Sequence, residues 1–200
     1  SLLGIALGVA TLIIVMSVMN GFRQELLSRI LGVNGHLSVY GVEHSLADYD
    51  RLSGQVTELE GVVKVTPMIE GQVMASANGQ ATGALVRGMK PRDLRARAII
   101  ADNIKFGDLD DFMGRDSVLI GTRLARKLGL KVGDKITLIS PKGNITALGT
   151  VPRLRSYKIA ALFKVGMHEY DSSFIFMPLA AAQKYFKLPQ AVNYLDVVID

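Results

Sequence analysis

From Ser1 to Phe22 no charged side chain interrupts a run of Leu, Ile, Val, Ala and Met. About twenty residues of helix span roughly 30 Å, the hydrocarbon thickness of a bilayer, so the pattern predicts a membrane-spanning helix. Thr11, Ser17 and Asn20 can return hydrogen bonds to the helix, and Gly4 and Gly8 form the small-residue pair that admits a second helix. A signal peptide would end in a small-residue cleavage site, but this run ends Met19-Asn20-Gly21-Phe22. A soluble core helix rarely stays uncharged over such a length. Helical spacing then continues, with Phe22, Leu26, Leu27, Ile30 and Leu31 on one stripe and Arg23, Glu25 and Arg29 marking polar surroundings. On spacing alone the stripe fits packing against a following domain slightly better than a lipid-facing cavity continued out of the bilayer.

From His36 onward the pattern shortens. Residues 36–42 read as a strand. Ser45 is positioned to cap a helix through Leu59, with Leu46, Tyr49, Leu52 and Val56 on its apolar face and Gly61 ending it. Val62–Thr66 reads as a strand, and Val73–Ala77 and Thr82–Met89 alternate around Asn78-Gly79, a strong hairpin signal. Pro91–Ile100 predicts a short helix with a mostly charged outer face. Further strands are expected at Ser117–Ile120, Lys135–Ser140 (ending in a turn at Pro141-Lys142-Gly143), Tyr157–Val165, Phe174–Met177 and Tyr194–Ile199. Helices are expected at Thr122–Leu128, stopped by Gly129, and at Leu179–Phe186. Strands and helices mix without strict βαβ alternation, which defines an α+β class.

Composition narrows the chemistry. The chain has 200 residues, 49% hydrophobic and 20% charged, which excludes a disordered tail. Mean hydropathy is +0.29, consistent with one concentrated apolar segment. The net charge of +5 is compatible with nucleic acid, acidic partners or lipid and selects none of them. The absence of cysteine excludes disulfides and thiolate chemistry. Residue 1 is a serine that opens inside an apolar run, so the chain is expected to be a segment of a longer protein. No phosphate-cradling loop, dinucleotide fingerprint, H-E-x-x-H or G-x-S-x-G motif occurs. His168-Glu169 and Asp171 read as a solvated turn, not a metal site. Arg87, Lys90, Arg92, Arg95 and Arg97 read as solvated surface, and with few aromatics interleaved no nucleic-acid partner is expected. No catalysis or metal is assigned.

Between Lys135–Ser140 and Tyr157–Val165, residues 145–148 can extend one strand and Tyr157 onward can return beside it. Gly149 and Pro152 then sit near a tip, with Val151 and Leu154 exposed beside Arg153 and Arg155. Such a tip suits docking by strand addition to a partner, and equally an ordinary loop folded back on its own domain.

The opening Ser-Leu-Leu-Gly-Ile-Ala-Leu-Gly-Val-Ala, the junction Met19-Asn20-Gly21-Phe22-Arg23-Gln24-Glu25-Leu26, Gly35-His36-Leu37, residues 120–125 with 128–134, and Met177-Pro178-Leu179 resemble lipoprotein-releasing (Lol) permeases, relatives of MacB-type transporters. The likeness runs in order along nearly the whole chain. It implies a transmembrane helix and stalk over residues 1–31 and a MacB-like domain over 32–200, in the periplasm beyond a bacterial inner membrane. It further implies a transport subunit that binds no cofactor, with ATP used by a LolD-like cytoplasmic ATPase subunit. A second permease subunit, identical or different, lipoprotein substrates and a LolA-like periplasmic carrier complete the implied partners. In this family a hairpin hook grips the carrier, and Thr146, Gly149, Pro152, Tyr157, Ile159 and Phe163 resemble its pattern, although Ala161 stands where glycine is common. The resemblance favours the hook-bearing LolC/LolE type, with the hook over about 144–158 and Gly149, Thr150, Val151, Pro152, Arg153, Leu154 and Arg155 as carrier contacts. It also implies a lipoprotein cavity at Met16, Met19, Phe22, Leu26 and Ile30. A MacB-like exporter and a division-type permease that activates a cell-wall hydrolase are the alternatives.

Overall fold

The computed structural model describes residues 2–113, 116–146 and 149–200. Helix α1 (Leu2–Val33) is a single helix of 32 residues, about 48 Å long. Every residue from Leu2 to Leu27 is exposed, and α1 is the one described helix long and apolar enough to cross a bilayer. After it come β1 (Leu37–Tyr40), α2 (Tyr49–Thr57), β2 (Val62–Ala77), β3 (Gln80–Met89), α3 (Pro91–Arg95), α4 (Ala98–Ala101) and β4 (Ile104–Gly107). The chain continues with β5 (Ser117–Gly121), α5 (Thr122–Leu128), β6 (Lys135–Thr146) and β7 (Gly149–Phe163). It ends with α6 (His168–Ser173), β8 (Phe174–Pro178), α7 (Leu179–Phe186) and β9 (Tyr194–Ile199).

Strand β6 pairs with β2 on one side and β7 on the other, so β2, β3, β8, β5, β7 and β6 close into a ring. Strands β9 and β1 extend from the first half of β2, and β4 extends from β7. The β3–β8 and β5–β7 pairs are parallel and the others antiparallel, the mixed arrangement expected of an α+β chain. All six ring strands turn alternate residues into one core, including Val73, Val86, Ile120, Leu138, Tyr157 and Ile175, which α5 and α7 cover with Leu124 and Tyr185. A second core, around Val33, Met68, Leu94, Phe112 and Phe163, takes the other face. On β8 the period of two is direct: Ile175 and Met177 enter the first core, Phe174 and Phe176 the second. Burial on both faces explains why that strand reads as a continuous apolar run.

Several elements differ from their sequence reading. Val62–Thr66 and Val73–Ala77 belong to one strand, β2. Its first half pairs with β9 and its second with β3, so no position between them lacks a partner strand. At its end Asn78 and Gly79 both have positive φ (49° and 74°), the turn that Asn-Gly favours. Ser45 caps nothing, because the segment beside it is drawn into a bridge in which Leu46 and Val192 exchange backbone hydrogen bonds of 2.8 and 3.1 Å. Helix α2 therefore begins at Tyr49, while Leu46, Tyr49, Leu52 and Val56 still pack on the first core. The expected turn at residues 141–143 is a register shift inside β6, with Ser140 opposite Arg153 and Asn144 opposite Val151. Pro141 and Pro152 share that interruption, where a missing donor costs least. The segment 91–100 breaks at Ala96-Arg97 into α3 and α4, and β4 and α6 are additional elements. Asp171 is buried, accepting the backbone N–H of Val165 (2.9 Å) and Gly166 (3.2 Å), so α6 is no solvated turn.

Candidate functional site

Two regions carry the residues of functional interest: the end of α1 and the β6–β7 hairpin. A helix end leaves backbone carbonyls without intrahelical donors and carries a partial negative charge. At α1 the Val33 carbonyl accepts Nη1 of Arg97 (2.6 Å) and Nη1 of Arg87 (3.3 Å). Arg97 Nη2 also pairs with the Asp196 carboxylate, both side chains nearly fully buried. The other Asp196 oxygen accepts the Gly35 N–H at 2.8 Å. Arg87 is held in turn by Glu70, Nε to Oε2 at 2.7 Å, and its guanidinium lies 4.8 Å above the Phe174 ring. Asn34 Nδ2 donates to the Tyr170 hydroxyl at 2.6 Å.

Glycine is required at position 35 by close approach: a Cβ there would lie 2.6 Å from the Val197 carbonyl and 2.7 Å from the Asp196 carboxylate. Val33 is itself a core residue. Lys64 Nζ is buried in the same region without a hydrogen-bond partner among the described residues. Burial lowers the pKa of its ammonium, Asp93 and Asp196 opposing and Arg97 adding to the shift.

Of the residues assigned to a lipoprotein cavity, Met16 (59%), Met19 (64%) and Phe22 (64%) are widely exposed, Leu26 less so, and Ile30 is half-buried where α1 meets the domain. The stripe packs on the domain only in its last turn, through Ile30 to Val33. Leu26 and Leu27, one turn earlier, remain exposed.

The hairpin ladder runs from Lys135 opposite Lys158 to Thr146 opposite Gly149. Beside its inner part lie β2, opposite residues 137–139, and β5, opposite residues 158–163. Outward of Ser140 and Arg153 the two strands pair only with each other. Ala147 and Leu148 lie outside the described residues, and Gly149 and Thr150 are described only as backbone ladder positions. Val151 and Leu154 are 52% and 60% exposed, and Pro152 is exposed. The two arginines instead engage their own domain. Arg153 Nη1 donates to the Tyr185 carbonyl, and Arg155 Nη2 meets Asp116 at 2.8 Å while its guanidinium lies 5.6 Å from the Tyr157 ring centre. Burial raises the Tyr157 and Tyr185 hydroxyls to about 12. The rings meet edge to face at the hairpin root.

The helix-end joint was missed in the sequence, where Arg87 and Arg97 read as solvated surface; both are buried. One signal was available. Asp196 stands alone in the apolar strand Tyr194-Leu195-Asp196-Val197-Val198-Ile199, and a carboxylate in a buried strand requires a cation or several donors. No cluster of three metal-ligating side chains occurs among the described residues.

The model of the MacB-like periplasmic core domain matches residues 1–200. The lipoprotein-releasing system transmembrane protein LolC of Neisseria meningitidis serogroup B is 33% identical over 193 residues, covering 96% of this chain and 46% of that protein. The corresponding LolE of Haemophilus influenzae is 24% identical over 205 residues, covering 100% of this chain and 49% of that protein. The chain thus spans about half the length of these curated relatives. Among solved structures, the extracellular domain of the noncanonic ABC-type transporter YknZ from Gram-positive bacteria superposes with a TM-score of 0.53 at 15% identity, covering 82% of both chains. The periplasmic region of MacB from Actinobacillus actinomycetemcomitans gives 0.50 at 12% identity, over 84% of this chain and 72% of that one. At these identities the two solved structures share the fold.

Proposed function

The chain belongs to the MacB-like periplasmic core domain family, and from that membership we propose that it forms the first membrane helix and periplasmic domain of a lipoprotein-releasing ABC permease. The subunit extracts outer-membrane lipoproteins from the inner membrane and passes them to a LolA-like periplasmic carrier. The observation that carries the reading is the likeness to LolC along 96% of this chain. The hairpin adds a physical reason: its outer ladder has no neighbouring strand and exposes Val151 and Pro152, with Leu154 exposed just inside it. Strand edges and apolar side chains left unpartnered in this way suit capture of a partner's sheet or cavity.

In this reading α1 crosses the bacterial inner membrane and the domain from about residue 32 lies in the periplasm. A LolD-like ATPase hydrolyses ATP on the cytoplasmic side, and a second permease subunit, identical or different, completes the membrane unit. The exposed stripe of Met16, Met19, Phe22 and Leu26, with Ile30 at its end, lines the path of the acyl chains. Movement of α1 drives the domain, and the chains leave towards the carrier held by the outer hairpin. The subunit itself performs no catalysis and binds no cofactor.

The test is binding of the full-length permease, in nanodiscs, to the periplasmic lipoprotein carrier of the same organism. A micromolar dissociation constant, about −8 kcal/mol, is expected, with Leu154→Asp and Pro152→Ala each weakening it at least tenfold while the domain stays folded. Absence of binding by a folded permease would turn the assignment to a MacB-like exporter, whose domain meets an adaptor, or to a permease that activates a cell-wall hydrolase.

A further inference from the structure

Six arginines of the domain are ion-paired with a carboxylate, from Arg51 with Asp48 to Arg155 with Asp116. Arg123 and Arg126 have no such partner among the described residues. Both are exposed on α5, a helix without any acidic residue, one turn apart. Lys127, next along, donates from Nζ to the Thr82 hydroxyl at 2.7 Å. Arg126 and Lys127 suit the last turn of α5, but Arg123, one turn earlier, meets Arg126 as a like charge.

These three cations line an open cleft of about 440 Å³, whose far wall is α6 with His168, Ser172 and Ser173. The hydroxyl protons of Ser172 and Ser173 already go to the carbonyls of His168 and Glu169. Apart from the Thr82 hydroxyl and the His168 ring, the cleft's remaining side-chain donors are cationic. No acidic side chain lines this cleft, and Glu169 lines the adjoining depression.

The cleft does not end at the cations. Two further depressions, about 350 and 310 Å³, adjoin it over the outer face of β2–β3, and all three share Gly83. A Cβ at Gly83 would meet nothing within 4 Å, so the missing side chain leaves open space. The last depression is largely apolar, lined by Met74, Ile139, Pro141 and Pro152. Met74 is half exposed and faces Ile139 directly across the strand pair, with Leu154 beyond it on β7. One trough thus has a cationic end at α5 and an apolar end where the outer part of the hairpin begins.

We propose that this trough binds an anionic amphiphile, its acidic head held by Arg123, Arg126 and Lys127 and its apolar part laid over Gly83 towards Met74, Ile139 and Pro152. Charge complementarity selects the head: unpaired guanidinium groups present forked donors that match a phosphate or carboxylate. The apolar end selects a molecule with a hydrocarbon part over a free anion. The site is separate from the helix stripe and shares only Pro152 with the outer hairpin, and it stands whether or not the carrier-binding function does.

The test uses full-length permease in phosphatidylcholine nanodiscs, with empty nanodiscs as reference, titrated calorimetrically with short-chain phosphatidylglycerol, short-chain phosphatidylcholine and inorganic phosphate. Saturable binding of phosphatidylglycerol is expected, at least tenfold tighter than either other probe. Arg123→Gln with Arg126→Gln, both exposed and removable without unfolding, should weaken it at least tenfold. Gly83→Leu, which fills the trough, should weaken phosphatidylglycerol and leave inorganic phosphate unchanged. Equal binding of the two lipids, or indifference to the double substitution, overturns the proposal. Phosphate binding as tight as the lipid, with Gly83→Leu silent, overturns the amphiphile and leaves only a free-anion site.

Discussion

The end of α1 and the outer part of the β6–β7 hairpin are both built from arginines beside apolar residues, yet they are treated oppositely. At the helix end Arg97 and Asp196 are 7% and 5% exposed and each bonds two groups. Along the outer hairpin Val151 stands open on a ladder with no flanking strand, and Leu154 stands open at its edge. A buried charge without a partner costs several kcal/mol, so the first region admits a single geometry. An exposed apolar side chain costs the free domain little and becomes favourable only when something covers it. The joint is therefore committed within the chain, while the outer hairpin holds contact area in reserve.

That contrast can be broken most forcefully at the joint. Arg97→Ala leaves Asp196 buried and unpaired and should cost about 3–5 kcal/mol by denaturant unfolding. Replacing Arg97 and Asp196 together by Met and Leu should recover most of the loss, and equal losses in single and double variants would show that burial of the pair is not the cause. Gly35→Ala forces backbone away from Val197 and should cost about 1–3 kcal/mol, with the Asp196 hydrogen bond to the backbone lost.

At the hairpin root the effect is smaller and depends on pH. Tyr157 and Tyr185 titrate near 12 when folded against about 10 when unfolded, so the unfolded chain loses its protons first. Stability is whole below pH 10 and declines between 10 and 12, by on the order of 2 kcal/mol for each tyrosine. Thermal melts across that range should flatten in Tyr157→Phe and Tyr185→Phe. The smallest effect on stability is at the edge of the outer ladder, where Leu154→Asp should stay within about 0.5 kcal/mol of the parent in the same unfolding experiment. A large loss there would mean that the outer hairpin is packed on its own domain.

Periodicity made the local elements legible. The Asn78-Gly79 turn, α5 stopped by Gly129 in the left-handed conformation, α7 and the β8 and β9 strands all follow from spacing and turn chemistry. What spacing could not show was which strands share a neighbour. Residues 62–66 and 73–77 read as two strands, because the continuity of β2 depends on β9, about 130 residues further on. The same distance hid the joint. Arg97 sits in a charged segment indistinguishable from surface until Asp196 is brought beside it. The exposed hairpin residues were legible for the opposite reason, since their character needs no distant partner, whereas the engagement of Arg153 by Tyr185 and of Arg155 by Asp116 does.

The joint also has a place in time. Gly35 and Asp196 are 161 positions apart, and Arg97 and Asp196 are 99 apart. A chain synthesised from its N-terminus makes α1 well before the carboxylate that fastens it. Until β9 arrives, Arg97 and Arg87 can hold the Val33 carbonyl, but the bridge through Asp196 from Arg97 to the Gly35 N–H is missing. Closing that bridge requires β9 to be in place, and a chain interrupted before residue 196 would carry α1 without it.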